Sequence, residues 1–320
     1  DHSANTTTQH ESCEPDCSKS KPKKIFITDE NQRMQIHNIA HKFTYMNMLW
    51  LRHPDEVFRL DVDPDYNPAN RFKSFDEEFQ GILYELREEI PTKWHNEMDK
   101  EILIRTFVNE MGQQRANGST RIRQAGPFIF GCQNVETFHN TNIRATTFRE
   151  DIGFKMGEDR VGSYSKLAPI LFKDYEGTFD RWKIFRNPIL MKVQSHLYLI
   201  TLFIKLPYKF QAYSALVRGL GSIQDIQEGE LTNSSSHYTV ESAWGVRKIT
   251  PAAIAMVSIF TRFAASEDKK FQPIGSHTKI NYQEDYEFYL KYLLEGLQSK
   301  SPSVLNIMDT WNQMLYPDKS

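Results

Sequence analysis

Residues 74–91 read SFDEEFQGILYELREEIP, and this stretch predicts an amphipathic helix with both of its ends marked. Ser74 and Glu77 match a capping box, in which the serine side chain and the third helical residue satisfy each other's free backbone N–H groups. Pro91 cannot continue the helix. Apolar residues recur at the spacing of one helix face: Phe75, Phe79, Ile82, Leu83, Leu86 and Ile90. Such a face must be covered by other elements, so the stretch indicates a helix within a packed domain.

The helical pattern recurs on both sides of this stretch. Upstream, Asp29 precedes an apolar stripe that runs from Ile36 to Trp50, and downstream a helix is predicted from about residue 94 to residue 115, ending at Asn117-Gly118. No alternating run is long enough for a sheet, so we predict a mostly α fold, a single irregular multi-helix globular domain. Three further helices are expected where a capping residue precedes proline: Asn187-Pro188, Thr250-Pro251 and Ser301-Pro302.

The ends of the domain follow from composition. Residues 1–24 contain no Leu, Ile, Val or Phe, so they cannot bury enough apolar surface to offset their chain entropy. We expect a disordered N-terminal tail over residues 1–24 and one helical domain over residues 25–320. Glycines interrupt residues 117–165, which is where a sub-boundary would fall, and Pro127–Phe130 reads as one short strand at best.

The overall composition is that of a soluble globular protein. The 320 residues include 39 Lys and Arg against 41 Asp and Glu, and 39% of the chain is hydrophobic. This balance excludes a chain that is disordered throughout, and three cysteines exclude a disulfide-dense scaffold. The longest apolar runs, 189–206 and 252–265, are either interrupted by charges or too short to span a bilayer. We therefore expect no membrane span and predict both runs as buried core helices.

Charge is distributed unevenly along the chain. Residues 55–101 carry 14 acidic and six basic residues, net −8, whereas residues 115–218 carry 16 basic and eight acidic residues, net +8. Either the two segments face one another in the fold, or the basic half binds an anionic partner.

Cations and aromatic residues interleave between Tyr164 and Tyr213, within the basic half. Nucleic-acid binders need cations for phosphates and flat side chains for bases, and this stretch supplies both. The alternative is that the aromatic residues belong to the core and the cations are their solvated flanks. On the first interpretation the binding residues are Lys173, Arg181, Trp182, Lys183, Arg186, Lys205 and Lys209.

His37 and His41 are the candidate metal ligands. They lie four residues apart on a predicted helix, so both imidazoles could reach one ion. The sequence shows no third ligand at a matching spacing, and His53 is only a candidate. The alternative is two ordinary histidines on a helix, and we expect no metal and no cofactor.

The segment from Gly275 to Asn281 joins two predicted helices, and loops carried by rigid helices are where functional sites tend to lie. If this segment is an enzyme site, His277 and Lys279 are its acid–base candidates. The alternative is a tight interhelical connection. Because no complete catalytic motif occurs in the sequence, we expect the protein not to be an enzyme.

Short motifs in a fixed order resemble a known family. Residues 244–255 read WGVRKITPAAIA, and Arg262-Phe263, Glu267-Asp268 and Ile280-Asn281-Tyr282 follow. Over roughly residues 60–317 the chain is similar to a group of uncharacterised fungal proteins, of basidiomycete type, that share a domain of unknown function. The resemblance implies no activity. Its members resemble expanded multigene sets, which implies a link to mobile elements or to self/non-self functions.

Together these features favour a non-enzymatic intracellular protein that binds an anionic partner, such as nucleic acid, or another protein. Cys132 has no obvious partner, which favours an intracellular location. The run from Lys19 to Lys24 resembles a nuclear-import signal, which makes the nucleus a candidate compartment, and the alternative is a solvated charge run in a tail. One alternative is an enzyme of unknown class with its site at Gly275–Asn281. Another is a secreted protein trimmed before Asp1, since three glycosylation triplets occur, at Asn5, Asn117 and Asn233.

Overall fold

A computed structural model describes residues 30–191, 212–218 and 243–316. Within these ranges the chain is mostly helical, so the predicted fold class is confirmed. The predicted tail over residues 1–24 lies outside the described residues, as do Lys205 and Lys209.

Nine α-helices lie in the described ranges: α1 (Glu30–Met46), α2 (Pro54–Arg59), α3 (Phe75–Glu89), α4 (Glu101–Ile129), α5 (Val135–His139), α6 (Thr141–Thr147), α7 (Pro251–Ala265), α8 (Tyr282–Gln298) and α9 (Pro302–Leu315). Two short strands, β1 (Phe154–Met156) and β2 (Gly162–Tyr164), form an antiparallel hairpin. Short 3₁₀-helices occur at Pro68–Asn70, Thr92–Glu97 and Pro169–Leu171, and a short π-helix at Ser214–Arg218.

The helix starts predicted at Ser74, Thr250-Pro251 and Ser301-Pro302 are found where expected. The Ser74 hydroxyl accepts a hydrogen bond from the N–H of Glu77 at 3.2 Å, at the start of α3. The Thr250 hydroxyl accepts from the N–H of Ala253 at 3.1 Å, and α7 begins at Pro251. Capping is local chemistry, so the sequence alone locates these starts. After Asn187-Pro188 the described chain stops at residue 191.

The prediction for residues 115–130 is wrong. The helix does not end at Asn117-Gly118 but continues as α4 to Ile129, and the expected strand at Pro127–Phe130 is the end of that helix. Gly118 lies where Tyr45 and Phe260 approach the helix so closely that a Cβ atom would not fit. The glycine therefore allows close packing and does not end the helix.

Helix α7 forms the centre of the core. Every residue from Ala252 to Ala265 is buried, and the helix packs against α1, α4 and α8. The predicted buried helix over the apolar run 252–265 is confirmed. None of the described helices combines the length and the apolarity needed to cross a bilayer.

Arg262 is the one charged residue of α7, and it is fully buried. Its guanidinium group pairs with the Asp285 carboxylate of α8 at 2.5 Å and donates to the Tyr289 hydroxyl at 3.0 Å. It also donates to the backbone carbonyls of Ile152 and Ser165. A buried charge needs such partners, and here they join α7 to α8 and to the β-hairpin region.

Candidate functional site

The 172–186 loop carries five of the seven predicted nucleic-acid-binding residues. Its two ends are held together by a β-bridge between Phe172 and Ile184, both of them buried. The Asp180 side chain accepts the N–H of Trp182 at 2.8 Å, and its backbone carbonyl accepts the N–H of Lys183 at 3.1 Å. The loop therefore has a fixed base and a capped turn.

Two aromatic side chains project from this loop. The exposed fraction is 51% for Phe179 and 48% for Trp182. Phenylalanine side chains are usually buried in folded proteins, because full burial of one stabilises the folded state by about 1.5–3 kcal/mol. Phe179 and Trp182 lie three positions apart in the same loop, so both rings are available to a partner that binds there.

The cations of the loop fall into two groups. Lys183 forms an ion pair with Glu176 at 2.8 Å, and Arg186 donates to Asn306 at 2.8 Å. Lys173 and Arg181 are exposed, and neither forms an ion pair with any residue that the structure describes. These two are the loop cations available to a partner.

Two acidic residues of helix α3 are paired with bases outside the 115–218 segment. Helix α3 packs against α1 and α2, where Glu85 pairs with Arg71 at 2.5 Å and Glu89 pairs with Lys42 at 2.7 Å. In the described ranges, no ion pair joins residues 55–101 to residues 115–218.

Buried arginines of the basic half bind backbone carbonyls instead. Arg123 donates to the carbonyl of Asp268 at 2.6 Å, and Arg144 donates to that of Ser266 at 2.8 Å. Burial lowers the pKa of Arg123 to about 10, so the group still carries its charge at pH 7. These arginines hold α4 and α6 to the end of α7 while they leave the positive charge of this half uncancelled.

A second cluster lies where α1 packs against α4. The Nδ1 atom of His37 is 2.7 Å from Oε2 of Glu110, and the Nε2 atom of His41 is 3.3 Å from the same oxygen. The centroids of the two imidazole rings are 3.8 Å apart. The structure thus brings the two predicted histidines together and adds a carboxylate, Glu110, that sequence reasoning missed. His53, the other candidate, instead faces Glu56 at 3.2 Å.

Burial makes His41 unusual among these groups. Loss of solvent, with a smaller contribution from the charge of His37, lowers its pKa from 6.5 to about 4, against the opposing effect of Glu110. Its Nε2 atom is buried, and within the described ranges it makes no well-aligned hydrogen bond, although Oε2 of Glu110 lies 3.3 Å away. His41 is therefore neutral at pH 7, which is the form of imidazole that ligates metal ions.

The segment after α7 is organised by Asp268, which is fully buried. Its carboxylate accepts hydrogen bonds from the backbone N–H of His277 at 2.7 Å and from the hydroxyls of Thr278 at 2.5 Å and Tyr282 at 2.8 Å. The side chains of His277 and Lys279 are exposed. This geometry is that of a tight connection into α8, and all of the carboxylate's partners serve to hold the loop.

A cavity of about 760 Å³ lies between α1 and the residues that precede α7. Its charged lining residues are Arg247, Lys248 and the ion pair of Lys42 with Glu89. Its other lining residues are Met46, Asn47, Gly245, Val246 and Thr250. Sequence reasoning missed this cavity because its walls are more than 150 positions apart in the chain.

Comparison with known proteins gives one match. The model of a family described as "Family of unknown function (DUF6698)" matches residues 140–316, a range that contains the 172–186 loop, the Asp268 loop and helices α7 to α9. No curated protein and no solved structure matches the chain. The match is narrower than the resemblance over residues 60–317 expected from the sequence, and it leaves His37, His41 and Glu110 outside.

Proposed function

The chain belongs to this family of unknown function (DUF6698), whose description carries no activity, and we propose from its geometry that it binds single-stranded nucleic acid. The binding surface is the 172–186 loop, with Trp182 and Phe179 as stacking platforms and Lys173 and Arg181 as phosphate contacts. The observation that carries the proposal is the exposure of both aromatic rings in a loop that also holds two exposed cations, neither of which has an acidic partner among the described residues.

Single strands suit this surface better than duplexes. Bases in a duplex are stacked on each other, so exposed rings can stack only on bases that are already unpaired. Stacking also tolerates any base, because every base has a π-face, so we expect little sequence preference. The β-bridge between Phe172 and Ile184 holds the two ends of the loop together. This order favours binding, because the loop loses less conformational entropy when it binds a partner.

The charge layout supports an anionic partner. The basic half is not neutralised by the acidic half among the described residues, and the acidic helix α3 packs elsewhere. A segment with an excess of cations attracts a polyanion and releases its counterions, which makes the affinity depend on salt.

An anisotropy titration tests the proposal. A labelled 20-nucleotide single strand of mixed sequence and the matching duplex are each titrated with the full chain between 50 and 200 mM salt. We expect the single strand to bind more tightly, with an affinity that falls as salt rises. Absence of binding to either oligonucleotide at 50 mM salt would overturn the proposal. A fungal origin and a nuclear location stay predictions from the sequence.

A further inference from the structure

We propose that His37, His41 and Glu110 form a binding site for one Zn²⁺ ion where α1 meets α4. The site is independent of the proposed nucleic-acid surface. None of its three residues belongs to the 172–186 loop, and none lies in the range matched by the family model.

The donor set fits zinc. Two imidazole nitrogens and one carboxylate oxygen are ligands that Zn²⁺ prefers, whereas Mg²⁺ and Ca²⁺ take oxygen ligands almost alone. Three protein ligands leave a fourth tetrahedral position for a water molecule. The exposed fraction of the side chain is 43% for His37 and 28% for Glu110, so an ion reaches the cluster from solvent.

The distances fit zinc as well. Two ligand atoms of a tetrahedral Zn²⁺ ion lie about 3.3 Å apart, given metal–ligand bonds of about 2.0–2.1 Å. Oε2 of Glu110 lies 2.7 Å from the nitrogen of His37 and 3.3 Å from that of His41. All three ligand atoms lie within 4.8 Å of one another. Small rotations of the partly exposed His37 and Glu110 side chains therefore bring the ligand atoms to bonding positions around the buried His41, with the helices left in place.

The environment of the His41 Nε2 atom supports the zinc site independently of the ligand types and distances. The residue is only 8% exposed, and this buried nitrogen lies 3.3 Å from Oε2 of Glu110 without a well-aligned hydrogen bond to any residue that the structure describes. A buried polar atom without a partner is costly, so native proteins rarely retain one. A metal ion would satisfy this atom through its lone pair, and Arg121 is the other charged group near it.

Calorimetric titration with ZnCl₂ tests the site. The protein is the untagged full chain with Cys13→Ser and Cys17→Ser, because thiolates outside the described residues also bind Zn²⁺. We expect one Zn²⁺ per chain and a rise in the melting temperature on addition of the metal, because an ion that binds only the folded state stabilises it. Absence of stoichiometric binding overturns the proposal.

Three variants in this background assign the ligands. His37→Gln and Glu110→Gln should each weaken binding by at least about tenfold, on the scale of changes made around metal sites. His53→Gln is the matched control, since His53 also faces a glutamate, at 3.2 Å, but with no second imidazole. It should bind as the parent does. Equal affinity of His37→Gln and His53→Gln would overturn the assignment, and thermal melts followed by circular dichroism establish that each variant is folded.

Discussion

Lys183 and Glu176 form an ion pair at 2.8 Å within the 172–186 loop. The Lys183 ammonium group is therefore already paired with a carboxylate, whereas Lys173 and Arg181 are exposed to solvent and can contact a partner. The cations that can contact phosphate are therefore identified by having no acidic partner in the part of the chain that the structure describes, and not by their position in the sequence.

The first prediction concerns the salt dependence of binding. The double variant Lys173→Gln/Arg181→Gln removes two phosphate contacts, so the slope of log K against log salt should become shallower by about 1.4 for a single strand. Lys183→Gln changes the charge by one unit but removes no phosphate contact, and its slope should stay near that of the wild type. Anisotropy titrations at four salt concentrations measure both slopes. Equal slopes for all three proteins would contradict this assignment.

A substitution at Asp174 should act in the opposite direction. Asp174 is an exposed carboxylate next to Lys173, and it repels a polyanion. Asp174→Asn keeps the backbone carbonyl that accepts from Lys183, so the loop should stay folded. We expect tighter binding than in the wild type, in the same anisotropy assay at low salt. Weaker binding would show that the carboxylate contacts the partner.

Trp182 should account for much of the affinity. Trp182→Ala removes one stacking platform, which is worth about 1–3 kcal/mol per base, or roughly 5- to 150-fold in affinity. Phe75→Ala is the matched control, because Phe75 is 53% exposed on the acidic helix α3. Its affinity should match that of the wild type. An equal loss in both variants would point to a general effect on folding, which urea unfolding of each protein detects.

Stability should depend on the buried ion pair in the core. Asp285→Ala leaves the Arg262 charge buried without its carboxylate, which typically costs about 3–5 kcal/mol of the free energy of unfolding. The control is Glu295→Ala, which removes an exposed pair with Lys291 at 3.8 Å on the same helix. That loss should be about 0.3–0.5 kcal/mol. Urea unfolding at pH 7 distinguishes the two values.

Two glycines of α4 should respond to alanine with opposite signs. Gly118→Ala forces a methyl group against Tyr45 and Phe260, and such overpacking costs about 1–3 kcal/mol. At Gly112 the nearest atom to a new Cβ is the end of the Arg115 side chain at 3.7 Å. Gly112→Ala should therefore stabilise the protein by about 0.5–1 kcal/mol through helix propensity. Thermal melts of both variants measure the difference, and stabilisation by Gly118→Ala would contradict the packing described.

Features of the fold that depend on local hydrogen bonds could be predicted from the sequence, whereas features that depend on contacts between helices could not. The starts of α3 and α7 were predictable because Ser74 and Thr250 cap their own helices through local hydrogen bonds. Asn117-Gly118 wrongly predicts the end of a helix, because the glycine instead allows close packing against Tyr45, which lies on a different helix.

The candidate sites show the same limit. The helical spacing of His37 and His41 was visible, but Glu110 reaches them only because α1 packs against α4. No pattern within one helix signals that contact. The pairing of Lys183 with Glu176 was likewise invisible in the interleaved charges, since it depends on the bridge that closes the loop.

Photo-crosslinking of the bound oligonucleotide tests the central claim most directly. A single strand that carries photoreactive bases is irradiated in complex with the full chain, and mass spectrometry identifies the crosslinked residues. The proposed surface predicts crosslinks at Trp182 or Phe179, lost when excess unlabelled strand competes. Crosslinks found only outside residues 172–186 would contradict it.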